Sequence, residues 1–414
     1  MIKKLLSGTA ISGTFIVTIG VFIGSVFSYF LQLFLGRKLS LDDFGIFNTL
    51  LSFSYILGVF GVALSTSIVK KVSSLCAKDS FDILTKLFWN LSLVAVGLGF
   101  ALFFILFGFR AQMSQFFNIP DLNIIVFFAG FMGLTFLSVI PRAYLQGLLR
   151  FKALAFFGVF SSFLRMLIPS VFVLVGYSVS FVFLGMSFAV LISFFIAVLL
   201  LRESFDSFKD IRLVDHYKGI LTFLGPLIFM QIGLTLLNNM DVIFVKHFFS
   251  GDQAGIYSGL VTVGKVLLFG TSSVATVMFP QISADFTRGE SPKKKLGGFL
   301  AVQLLLVVCG TVFFVSFPKF ITLLMFGEKY LPAVMYLPRF SIFMAFYVLI
   351  NFFVLFFMAV GKYLPVLFLG VGALLQVSLI WFFHDSLGSI VNVNIFVTGL
   401  VLLLLVVYYK LRDV

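Results

Sequence analysis

Residues 34–50 read FLGRKLSLDDFGIFNTL, and residues 244–260 read FVKHFFSGDQAGIYSGL. At an offset of 210 the pairs Phe34/Phe244, Ser40/Ser250, Asp42/Asp252, Gly45/Gly255, Ile46/Ile256 and Leu50/Leu260 are identical, and Phe47/Tyr257 is similar. The same offset relates Lys152 to Lys362, each opening an apolar run. It is close to half of the 414 residues, so the chain reads as two copies of one unit.

What each unit contains follows from composition. The chain is 61% hydrophobic and 11% charged, which fits a polytopic helical membrane protein and no soluble domain. The 60 phenylalanines are bulky apolar filler for lipid-facing and helix-packing surfaces. Apolar runs bounded by charged or turn residues predict an all-α fold with twelve transmembrane helices. Their approximate limits are 10–35, 44–69, 87–108, 123–148, 153–176, 179–201, 219–249, 254–284, 297–316, 332–360, 363–384 and 390–409. Each reaches the roughly 20 residues needed to cross a hydrocarbon core. Several are longer, which permits tilt or kinks at Pro141, Pro169, Pro226 and Pro280. Six spans per copy, an even number, give both copies the same topology, the parallel-repeat arrangement of many transporters. The expected organisation is a six-helix bundle over 1–201, an amphipathic cytoplasmic linker over 202–218 and a second six-helix bundle over 219–414. Segment 317–331 is short and amphipathic and is expected to lie along the outer interface.

The formal charge of +13 has a topological explanation that needs no nucleic acid. With a cytoplasmic N-terminus, 19 of the 29 Lys and Arg residues fall inside. Seven fall outside: Arg37, Lys38, Arg110, Lys246, Lys319, Lys329 and Arg339. Both termini are then cytoplasmic, in a multi-pass protein of the inner membrane. Lys3 and Lys4 precede an apolar stretch too long for a signal-peptide core, so it is read as the first span. Cys76 and Cys309 are too few and too far apart in sequence for a disulfide framework or metal site. No nucleotide loop, HExxH or CxxC pair occurs, and His216, His247 and His384 show no partner pattern. No cofactor and no catalytic residue is expected.

Three cations, Arg142, Arg165 and Lys265, lie inside apolar runs, where a charge costs roughly 2.5–3.5 kcal/mol on insertion scales. Arg165 is midway along its span, follows Ser161 and Ser162, and has no acid in its own or adjacent spans. It is the leading candidate for an anion site, because a planar guanidinium suits bidentate phosphate binding. Arg142 is near a span end and can snorkel, and Arg339 is similar. Gln231, Thr235, Asn238 and Asp241 recur at spacings of 4, 3 and 3, so they share one helical face, which should point to the interior. Asp241 has two readings: a proton or cation site that drives conformational change, or a structural ion pair with Lys265. Lys265 in turn either binds an anionic substrate group or serves as that partner. Asn48, Asn351 and Gln376 are candidates for polar lining or for interhelical packing.

The run Gly36-Arg37-x-Leu39 followed by Phe44-Gly45 resembles the corresponding corner of polysaccharide and O-antigen flippases. So do Asn238-x-x-Asp241, Gly255-Ile256-Tyr257 and Met278-Phe279-Pro280. These flippases belong to the multidrug/oligosaccharidyl-lipid/polysaccharide (MOP) exporter superfamily, whose two six-helix bundles and length agree with the whole chain. The resemblance implies movement of an undecaprenyl-diphosphate-linked oligosaccharide from the inner to the outer leaflet by alternating access. It implies a cationic cavity lining and coupling to a proton or sodium gradient. Membrane lipids surround such a protein, which is expected to act as a monomer with polysaccharide assembly proteins as candidate partners. In one respect this chain departs from some relatives: spans 1 and 2 carry no intramembrane Arg or Lys. The anion site then falls to spans 4, 5 and 8, or to Arg37 and Arg339. One rival is a drug or metabolite cation antiporter of the same superfamily, for which acidic cavity groups are expected; here three intramembrane cations face one acid. A polysaccharide polymerase or ligase would normally carry a large external loop, and none is present.

Overall fold

The computed structural model describes residues 2–76, 81–202 and 225–411, and every element among them is helical. In chain order they are α1 (Ile2–Lys38), α2 (Leu41–Cys76), α3 (Phe81–Gly108), α4 (Arg110–Phe117), α5 (Leu122–Gly147), α6 (Phe151–Leu174) and α7 (Val179–Leu201). Then follow α8 (Gly225–Phe248), α9 (Gly251–Thr287), α10 (Lys293–Ser316), α11 (Pro318–Phe326), a 3-10 turn (Glu328–Ala333), α12 (Leu337–Ala359), α13 (Pro365–Phe382) and α14 (Leu387–Leu411). Twelve of these helices are long and apolar enough to cross a membrane, and they match the twelve predicted spans one for one. The two short ones occupy equivalent places, α4 after α3 and α11 after α10. Segment 317–331 announced α11 by its amphipathic pattern, whereas α4 went unread. Of the predicted linker, residues 203–218 lie outside the described residues.

Local signals set the helix ends. Ser250 caps α9: its hydroxyl accepts from the Gln253 backbone N–H, and the Gln253 side chain accepts from the Ser250 backbone N–H, closing a capping box. Its repeat counterpart Ser40 accepts from Asp43 N at 3.0 Å at the start of α2. Pro141, Pro169 and Pro280 lie within continuous helices.

Residues Met1–Leu39 and Leu57–Gly225 form one compact unit; Ser40–Ile56 and Pro226–Val414 form the other. The first seventeen residues of this second set, at the start of α2, pack with helices of the C-terminal half. In the first unit α3 packs on α5, α5 on α7, and α6 on α7. The second unit repeats the pattern, with α10 on α12, α12 on α14, and α13 on α14. Similar sequences thus build the same neighbourhoods, as the repeat predicts. Small residues let backbones approach. A methyl group at Gly20 on α1 would come within 2.9 Å of Ala155 on α6, and one at Gly24 within 2.9 Å of the Ser162 hydroxyl. Interhelical hydrogen bonds add to this packing, such as Tyr144 Oη to Leu84 O at 3.1 Å and Arg150 Nη1 to Leu200 O at 3.0 Å.

Candidate functional site

Within the second unit, the two repeat motifs quoted above pack on each other. A methyl group at Gly45 would lie 2.9 Å from Gly255 N. One at Gly255 would overlap the Leu41 carbonyl, and one at Gly251 would overlap the Asp42 carboxylate. Glycine at these three places lets the start of α2 lie flush on the start of α9. Asp42, at the N-terminal end of α2, accepts from Lys246 Nζ at 2.5 Å. Lys246, counted from sequence as a loop charge, is in the last turn of α8 and only 1% exposed. His247 and His384 also have neighbours that sequence did not show. His247 stacks on Trp381, and His384 stacks on Phe248 with ring centroids 3.7 Å apart.

Asp241, near the C-terminal end of α8, is fully buried. Its Oδ2 accepts from Tyr257 Oη at 2.7 Å and from Asn394 Nδ2 at 3.0 Å, and its Oδ1 accepts from the Val242 backbone N–H at 2.9 Å. Three donors on two oxygens are what a buried carboxylate requires. Asn394 also donates to Tyr257 Oη at 3.3 Å, and its Oδ1 accepts from Gln376 Nε2 at 2.8 Å. Gln376 donates further to the Leu237 carbonyl on α8 at 3.2 Å. One polar network therefore joins α8, α9, α13 and α14. Around it three buried oxygens have no hydrogen-bond partner among the described residues: Asn238 Oδ1, Gln376 Oε1 and Ser258 Oγ.

Lys265 does not form the direct ion pair with Asp241 that was one of the two sequence readings. Its Nζ donates to Asn239 Oδ1 at 3.1 Å and lies 5.8 Å from the centre of the Tyr55 ring. The reason is helical phase. Asn239 Nδ2 is committed to the Thr235 carbonyl at 2.8 Å, so its oxygen faces the lysine, while the Asp241 carboxylate points to α9 and α14. The ammonium is thus held by a neutral amide and an aromatic ring.

The other candidates are dispersed. Arg142 on α5 and Arg165 on α6 belong to the first unit, and both are exposed. Ser161, one turn before Arg165, is buried with its hydroxyl unbonded. Arg339 is exposed in the first turn of α12, closer to the helix start than the predicted two turns, because α12 begins at Leu337. Asn48 donates to the Phe44 carbonyl of its own helix at 3.0 Å, a local use of its side chain. Gln231, Thr235 and Asn351 are half-buried.

A family model described as polysaccharide biosynthesis protein matches residues 10–285. The chain belongs to that family. Among curated proteins none matches it. Solved structures share its fold. An inward-facing multidrug resistance MATE family transporter of the MOP superfamily superposes with a TM-score of 0.76, covering 94% of each chain at 11% identity. The lipid II flippase MurJ, in an inward closed conformation, gives 0.75 at 15% identity, covering 95% of this chain and 87% of its own. A MOP superfamily transporter from Pyrococcus furiosus, for which reverse polarity of the binding pocket suggests a different function, gives 0.62 at 14% identity, covering 96% of this chain and 95% of its own.

In this member of the polysaccharide biosynthesis family, Asp241, Tyr257 and Lys265 lie inside the matched region, and Gln376 and Asn394 lie beyond it. Sequence reading singled out Asp241 and Lys265. It used Tyr257 only in the repeat match and in the Gly255-Ile256-Tyr257 motif, favoured a packing role for Gln376, and passed over Asn394, Asn239 and Tyr55. One signal was available. At the 210 offset Phe47 faces Tyr257 and Tyr55 faces Lys265, so the copies diverge where the second gains a polar group.

Proposed function

We propose that this protein moves a polyprenyl-diphosphate-linked oligosaccharide from the cytoplasmic to the outer leaflet, for cell-surface polysaccharide synthesis. The observation that carries this reading, beside family membership, is the state of Lys265. A mid-span lysine held by a neutral amide and a ring has hydrogen-bond donors to offer an anionic group. Arg165 and Arg142 in the first unit, and Arg339 in the second, are the further cations assigned to anion binding in this reading. The fold it shares with MurJ, a lipid II flippase, supports transport by alternating access.

Asp241 is the proposed coupling group. A proton or a sodium ion entering the network would compete with the Tyr257 and Asn394 donors, and the unbonded oxygens of Asn238, Gln376 and Ser258 are suitable additional ligands. Such an exchange would change the ties among α8, α9, α13 and α14. The rival is a cation antiporter of the kind represented by the MATE neighbours. It needs an acid free to meet an organic cation, whereas both Asp241 oxygens are already occupied by donors. The charge distribution supports cytoplasmic termini and an inner-membrane location.

The test is gene deletion followed by analysis of lipid-linked oligosaccharides. Accumulation of one such lipid in the cytoplasmic leaflet, relieved by wild-type protein and not by Lys265→Ala or Arg165→Ala, is expected. Normal outer-leaflet delivery without the protein would overturn the reading.

A further inference from the structure

Tyr55 is an unusual residue for its place. Gly45 and Gly255 mark the contact between the starts of α2 and α9, and Tyr55 and Lys265 each lie ten residues further along. At 1.5 Å per residue that is about 15 Å, half of a roughly 30 Å hydrocarbon core. Tyrosine in a span favours the interface, where its hydroxyl stays wet, over mid-depth. Yet Tyr55 is 48% exposed at that depth, with its ring beside the Lys265 ammonium.

The lysine has capacity to spare. An ammonium has three N–H donors, and Lys265 makes one hydrogen bond, to Asn239. Asn239 is 4% exposed and locked in orientation by the Thr235 carbonyl. The ammonium is therefore positioned by a buried amide, with two donors left for an incoming anion. An aromatic ring with open surface stands 5.8 Å away.

We propose that Tyr55 is the specificity residue that reads the first sugar of the lipid-linked substrate, with Asn239 positioning Lys265 for the phosphate. This rests on the flippase reading above. In a polyprenyl-diphosphate glycan the first sugar is bonded directly to the distal phosphate. A phosphate on Lys265 thus brings a pyranose ring to the neighbouring aromatic face. The electron-rich face of a phenol ring attracts the polarised C–H bonds on one side of a sugar. A lipid diphosphate without sugar would use the lysine alone.

The experiment measures binding of two probes to purified protein in nanodiscs: undecaprenyl diphosphate, and undecaprenyl diphosphate carrying one N-acetylhexosamine. Tyr55→Ala should weaken the glycosylated probe about tenfold more than the bare diphosphate. Tyr55→Phe should retain near-normal binding of both, since the ring is kept. Lys265→Ala should weaken both probes alike, and Asn239→Ala should do so to a smaller degree. Tyr55→Ala weakening both equally, or neither, overturns the sugar-reading role. Failure of Lys265→Ala to weaken either probe, or of wild type to bind either, overturns the flippase reading beneath it.

Discussion

Replacing Asn394 by leucine should expose how much the buried network holds the second unit together. The side chains share the same branched skeleton, so the change removes polarity while largely keeping the shape. Three hydrogen bonds disappear: to Asp241 at 3.0 Å, to Tyr257 at 3.3 Å and from Gln376 at 2.8 Å. The 3.3 Å bond is the weakest, and the bond to the carboxylate the strongest. Interhelical hydrogen bonds in membranes average about 0.6 kcal/mol, so three suggest about 2 kcal/mol. Scales from soluble proteins, with about 1.5–3 for a bond to a charged group and about 1 for each of the two neutral ones, give roughly 3.5–5 kcal/mol. The expected loss is thus about 2–5 kcal/mol. Equilibrium unfolding in mixed detergent micelles would read it. Tyr257→Phe, which removes one donor from Asp241 and an acceptor from Asn394, should cost less. A double cycle of Asn394→Leu with Asp241→Asn should show strong coupling, because each change removes part of the same bond. A loss below about 0.5 kcal/mol, or additive effects of the two changes, would refute the account of Asp241 as a carboxylate held by Asn394.

Asp241→Asn should remove the gradient dependence of transport or stop transport; flux in vesicles that stays gradient-driven would leave Asp241 a structural role. Asp42→Ala should destabilise more than Lys246→Met, because it takes a hydrogen-bonded partner from an ammonium whose side chain is only 2% exposed, whereas Asp42 is 43% exposed and can be hydrated. The first loss is expected near about 3 kcal/mol and the second below about 1 kcal/mol, measured by the same unfolding assay. Gly255→Ala should be markedly destabilising, since its methyl would overlap the Leu41 carbonyl, while Gly58→Ala, with open space around it, should be neutral or slightly stabilising.

The twelve spans were legible because burying a backbone in lipid leaves so little freedom: long apolar runs must become helices, and charged or glycine-rich breaks must end them. The repeat was equally legible, and it carried the equivalence of the two helix starts that later proved to touch. The site was legible only in part. Asp241 and Lys265 stood out because a charge in an apolar run is conspicuous on its own. Their partners did not, since an asparagine or tyrosine in a span is inexpensive enough to pass for packing. Sequence proximity of spans also made an Asp241–Lys265 ion pair attractive, and the structure separates them.

Composition, periodicity and the 210-residue offset were therefore enough to establish a twelve-helix, two-copy membrane protein with intramembrane charges on named helices. Tertiary structure alone decided which groups meet those charges. Asp241 finds Asn394, 153 residues away, and Lys246 finds Asp42, 204 residues away. The physical reason is helix rotation and depth. A helix places its side chains every 100° or so around its axis. Which of them faces a neighbour is settled by packing between helices, and that packing depends on side-chain shapes from both ends of the chain.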